Sequence, residues 1–81
     1  MSTVSTRSTV EVMQALGARI REARERAGLT QAEFARRCGT ERGTAWRWET
    51  GRAEPSLAML RTIAAVTGSD LGRLAGGAAA A

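Results

Sequence analysis

Residues 31–51, QAEFARRCGTERGTAWRWETG, are the stretch about which the rest of the chain is arranged. They predict two short helices joined by a tight turn at Cys38 to Thr40, with a small residue wherever the helices must touch. Ala35 lets the first helix approach the second, and Gly39 supplies the positive φ that a sharp corner between helices requires. Ala45 turns inward from the second helix. Phe34, Cys38 and Trp48 add the larger apolar contacts.

The flanks supply the remaining helices. Ser8-Thr9-Val10-Glu11 has the Ser-x-x-Glu form of a capping box, which satisfies amide groups that a helix start leaves without partners. A helix to about Ala27 follows, with Val12, Leu16, Ile20, Ala23 and Ala27 as its buried stripe. Arg19, Glu22, Glu25 and Arg26 face water, and Glu22 pairs with Arg26. Gly28 ends this helix. Leu29 precedes a second capping box, Thr30 to Glu33, and is placed to staple against Phe34 or its neighbour. The second helix runs from about Gln31 to Arg37 and the third from about Glu41 to Glu49. On the third, Ala45, Trp48 and Glu49 lie inside, while Gly43, Trp46, Arg47 and Thr50 lie outside, with Arg42 at the exposed N-terminal end. Gly51 closes it. After a loop at Arg52 to Pro55, a fourth helix from Ser56 to about Thr67 turns Leu57, Leu60, Ile63, Ala64 and Val66 to its apolar side. Gly68 stops it. Ser69 or Asp70 caps a last short helix to Leu74, amphipathic through Leu71 and Leu74. Residues 1–7 and 76–81 read as tails around a domain at 8–75, and Arg7 could reach an anion from the first of them.

Composition sets the limits. Eighty-one residues make one small domain, with no room for a separate sensor or catalytic module, so no small-molecule ligand is expected. With 43% hydrophobic residues and only one Phe, two Trp and no Tyr, the core is built mainly from Leu, Ile, Val, Met and Ala, which suits packed helices. The formal charge is +4, and all twelve cations are arginine. Arginine's planar fork fits phosphate or a guanine edge, which favours an anionic partner, although a GC-rich genome produces the same bias through its codons. Location says more: Arg36, Arg37, Arg42, Arg47 and Arg52 face only Glu41 and Glu49 over the same stretch. One cysteine and no histidine exclude an internal disulfide, a Cys/His metal site and a Cys/His nucleophile pair. Cys38 therefore reads as a small buried hydrophobe. No clustered carboxylates lie beside a nucleophile, so no enzyme activity and no cofactor are expected. No run of apolar residues is long enough for a signal peptide or a membrane span, making a reducing cytoplasm the default location.

A small residue at Ala35, a glycine four further on at Gly39 and an apolar residue six beyond at Ala45 is the spacing of a DNA-binding helix-turn-helix. Leu29-Thr30-Gln31-Ala32-Glu33-Phe34-Ala35 resembles the entry into that motif in the phage repressor and Cro, or XRE-type, family. Trp48-Glu49-Thr50-Gly51-Arg52 followed by Pro55-Ser56-Leu57 resembles its exit, and the likeness spans roughly Leu16 to Leu74. The resemblance implies an all-α, lambda-repressor-like bundle of five helices whose third helix enters the DNA major groove. It implies base-edge contacts at Arg42, Gly43 and Arg47, a phosphate contact at Gln31, and a salt bridge between Arg24 and Glu49. The inward placement of Glu49 supports that bridge independently, because a largely buried carboxylate needs a cation.

The residues themselves extend the set. Trp46 joins the base contacts through a thymine methyl or a sugar, or else covers a neighbouring helix. Thr44, Arg52, Arg36 and Arg37 are candidates for phosphates, with a solvated helix face as the alternative for Arg36 and Arg37. Three positions depart from the family. Thr40 stands where Val or Ile is common, Glu41 where Ser or Thr would cap the reading helix, and Gly43 removes one reading side chain. A glutamate at 41 suits the helix dipole but repels phosphate, leaving a cytosine amino group as its partner. The expected function is a sequence-specific, double-stranded DNA-binding transcriptional repressor, working as a homodimer on a pseudo-palindrome. Leu71, Leu74 and the end of the fourth helix are its expected dimer surface. Two alternatives stand beside it: an antitoxin of this fold, which also binds a toxin protein, and a helical protein-interaction module.

Overall fold

The computed structural model describes residues 8–76, so the expected tails, Gly76 apart, and Arg7 lie outside it. Five helices follow one another: α1 Thr9–Arg26, α2 Gln31–Arg37, α3 Arg42–Glu49, α4 Leu57–Thr67 and α5 Leu71–Leu74. No strand occurs among the described residues.

The helix starts follow local chemistry. Ser8 Oγ accepts from the Glu11 amide at 3.1 Å while the Glu11 carboxylate accepts from the Ser8 amide at 3.0 Å. Thr30 and Glu33 repeat the exchange at 3.1 and 2.9 Å. Such reciprocal caps satisfy two otherwise unpaired donors each and fix the direction in which the chain enters the helix. Between α2 and α3 the corner is made at Gly39, whose φ of 76° is left-handed. This lets the Thr40 amide donate back to the Ala35 carbonyl at 2.9 Å, closing the end of α2.

One core joins all five helices. Leu16, Ile20 and Ala23 of α1 meet Phe34 and Ala35 of α2, Ala45 and Trp48 of α3, Leu60, Ile63 and Ala64 of α4, and Leu74 of α5, with Cys38 and partly buried Leu29 at the margin. Phe34 and Trp48 pack edge to face, with ring centroids 6.3 Å apart and planes at 80°. α1 packs against α3, α4 and α5, while α2 packs against α3. At its crossing with α3, α1 carries Gly17: a Cβ there would collide with the Trp48 carbonyl oxygen and lie 2.7 Å from that of Glu49. The two backbones therefore touch, and the end of α3 is seated directly on α1.

Several expectations fail at the edges of this core. Val12 is 45% exposed and Leu57 60% exposed, because each lies in or next to the first turn of its helix, where the pattern continues past the reach of the partner helices. Ala27, one residue beyond the end of α1, is likewise exposed. Arg19 is not a solvated residue: its Nε donates to the Leu74 carbonyl at 2.8 Å and ties the end of α5 to α1. Leu74 itself is only 4% exposed, so it fills the core and offers no dimer surface.

Candidate nucleic-acid interface

α3 is two-sided. Ala45 and Trp48 are buried and Glu49 is 9% exposed, while Arg42, Gly43, Trp46 and Arg47 all lie in the open. The same helix that is fixed to the molecule by one side therefore presents the expected base-contact residues on the other. Thr44 is half-buried between the two sides.

The inner side is held by a charged clamp. Arg24 Nε donates to Glu49 Oε2 at 2.6 Å and Nη2 to Oε1 at 3.1 Å, a two-point bridge between α1 and α3. Arg24 Nη1 also donates to the Leu29 carbonyl at 2.9 Å, just before α2. Only 12% of the arginine side chain and 3% of the glutamate side chain remain accessible. One guanidinium thus sets the relation of three helices. Removing either partner of such a buried pair costs about 3–5 kcal/mol, because the other is left charged and unmatched. The Arg24 and Glu49 pairing implied by the resemblance is therefore present.

Gln31 occupies the first position of α2, and its Nε2 donates to Glu49 Oε1 at 3.1 Å. Its side chain is thus oriented by the clamp, a partner that sequence spacing did not disclose. One amide hydrogen and the amide oxygen are left for other contacts. Trp46 lies partly against its neighbours and partly in the open. The residue is 43% exposed, its ring carries the Arg52 guanidinium 4.7 Å from its centroid, and it borders a cleft of about 240 Å³ shared with Arg21, Arg24, Gln31, Glu49 and Thr50. Arg52 reaches the ring because the chain folds back after α3: the amides of Arg52 and Ala53 both donate to the Arg47 carbonyl, at 2.8 and 3.2 Å. A cation stacked in this way stiffens the indole and keeps one guanidinium edge free for an anion.

Every arginine of α1 has a partner within the fold, Arg19 and Arg24 as described above. On α1, Arg21 pairs with Glu25 at 3.2 Å and Arg26 with Glu22 at 3.6 Å. Around the turn and α3, Arg36, Arg37, Arg42, Arg47 and Arg52 are exposed, and among the described residues none has a carboxylate within 4.0 Å. Glu33 is tied into its capping box; the Thr30 amide and hydroxyl, with Arg36 and Arg37 nearby, hold its carboxyl below the ordinary carboxylate range. Glu49 is neutralised internally by Arg24. The outer side of α2 and α3 is accordingly a surface of net positive charge, with five exposed arginines against the exposed carboxylate of Glu41 and a half-exposed indole in it.

A short helix anchored to a preceding one across a glycine corner, with arginines on its free side, defines a DNA-binding helix-turn-helix. Residues 15–75 match the helix-turn-helix domain family, and the chain belongs to it. An uncharacterised HTH-type transcriptional regulator of Methanothermobacter thermautotrophicus is 45% identical over 51 residues, which cover 63% of this chain and 74% of that protein. The crystal structure of the hypothetical transcription factor NHTF from Neisseria shares the fold, with a TM-score of 0.73, 24% identity, and coverage of 91% of this chain and 85% of the other. The chain is thus a helix-turn-helix protein of the DNA-binding, transcription-regulating kind. Among the described residues no helix is long and apolar enough to cross a membrane.

Proposed function

We propose that residues 8–75 form a sequence-specific, double-stranded DNA-binding unit that represses transcription on cytoplasmic DNA by laying α3 in the major groove and occluding a promoter. Arg42 and Arg47 take guanine O6 and N7, each bidentate contact contributing roughly 1–3 kcal/mol of discrimination. Gly43 lets the backbone approach the bases, and Trp46 rests on a thymine methyl or a sugar. Gln31, Thr44, Arg36, Arg37 and Arg52 hold phosphates, which position the protein without specifying sequence. The observation that carries this reading is the cluster of arginines around α3. Every arginine of α1 is engaged by a carboxylate or carbonyl within the fold, whereas Arg36, Arg37, Arg42, Arg47 and Arg52 are exposed and without a carboxylate partner, as among the described residues are only Arg61 and Arg73 elsewhere. A module of this size covers too little DNA for tight binding alone, so a homodimer on half-sites about one helical turn apart completes the reading.

Selection of bound duplexes from a random pool, with affinities measured over a range of salt, tests it. Affinity for duplex should fall steeply as salt rises. Arg47→Ala should relax preference at one base pair, and Gln31→Ala should weaken every site alike. Binding that is indifferent to salt and to sequence would point instead to a helical module for an acidic protein surface.

A further inference from the structure

The start of α3 is unlike those of the other four helices. Ser8, Thr30, Ser56 and Asp70 each turn a side-chain oxygen back onto an amide of the first turn they precede. Glu41, the N-cap of α3, makes no such bond. Its side chain is exposed, and among the described residues it pairs with no cation, although Arg36, Arg37 and Arg42 are its near neighbours in sequence. The helix that carries Arg42 and Arg47 on its free side is thus the one whose cap residue is left disengaged from the backbone.

A carboxylate in that position is unsuited to phosphates, which it repels. Against base edges it is an acceptor. In the major groove cytosine presents its N4 amino donor alone, whereas adenine sets its amino group beside the N7 acceptor, which a carboxylate opposes. Gly43 leaves the way clear, since beyond its chain neighbours and the backbone of its own helix no described atom lies within 4 Å of where its Cβ would stand. The N-terminal turn of α3 can therefore come close to the base edges and bring Glu41 with it.

We infer that Glu41 is a specificity-determining residue, reading the N4 amino group of a cytosine in each half-site; this rests on the DNA-binding reading above. The test is selection from a random duplex pool with the wild type, Glu41→Gln and Glu41→Thr. The wild type should enrich cytosine at one position. The Gln variant should move that position towards adenine, whose N6 and N7 an amide matches, and the Thr variant should lose the preference by about tenfold. Guanine positions should stay unchanged in both. The Thr variant should also melt higher than the wild type, because threonine caps α3, which shows that lost preference is not lost folding. Guanine selection without a cytosine position, or a cytosine position that survives both substitutions, overturns the assignment of Glu41 and leaves the DNA-binding reading standing. No enrichment by any of the three proteins overturns both.

Discussion

Gly17→Ala should destabilise this protein even though alanine is the better helix former. Gly17 lies inside α1, where the exchange by propensity alone gains about 1 kcal/mol. Its new Cβ would meet the carbonyl oxygens of Trp48 and Glu49, the latter at 2.7 Å. Opening that separation to the roughly 3.5 Å of a normal carbon contact moves one backbone against the other by at least about 0.8 Å, and the nearer Trp48 oxygen asks for more. Both sides are backbone, so no rotamer change absorbs the motion, and overpacking at the upper end of its usual range, about 3 kcal/mol, applies. The net loss is about 2 kcal/mol, which lowers the melting midpoint of a domain this small by roughly 8–16 °C. Gly43→Ala is the matched control, since it adds the same methyl to α3 in open space. It should gain up to about 1 kcal/mol and melt as much as roughly 4–8 °C higher. Circular dichroism at 222 nm on thermal and urea melts reads both. If the two variants shift in the same direction, α1 and α3 are not in backbone contact at Gly17.

Glu49→Gln should cost about 3–5 kcal/mol by stranding Arg24, and the double variant Arg24→Met, Glu49→Leu should recover a large part of it in urea midpoints; equal losses in the two would refute the buried clamp. The Glu33 carboxyl is held below its ordinary 4.5, so it contributes stability that is fully present above that value and lost as pH falls through the lower folded one. Glu33→Gln should therefore flatten the acid limb of stability as pH falls below about 4.5, and an unaltered slope would show that the capping box does not titrate with folding. Burial raises the Cys38 thiol above its usual value, so it should react with a disulfide reagent at about pH 8 only as fast as the domain opens. Immediate modification of the native protein would contradict its place in the core.

The local elements were legible because each has a short-range cause. Both capping boxes, the limits of α2, the corner at Gly39 and the inward turn of Ala45, Trp48 and Glu49 follow from residues within a few positions of one another. Contacts that depend on distant parts of the chain were not legible. Val12 and Leu57 continue an apolar periodicity, but periodicity says which way a side chain faces and not where the opposite helix stops. Arg19 bonds a carbonyl 55 positions away, and Leu74 fills the gap left for it beneath α1. A glycine in mid-helix, such as Gly17, carries no pattern that distinguishes a close crossing from chance. At the interface the reading side of α3 could be named in advance, whereas the bond from Gln31 to Glu49 and the stacking of Arg52 on Trp46 arise only once three separate turns of chain converge.

The placement of the two tryptophans gives the molecule its own optical readout. Trp48 is sealed against Phe34, while Trp46 lies at the surface under Arg52. Loss of the fold transfers the first indole to water and reddens its emission. A polyanion settling along α3 would instead displace solvent from the second, leaving the first untouched. Fluorescence from a single unlabelled sample therefore separates docking from denaturation, which a helix signal alone would confuse.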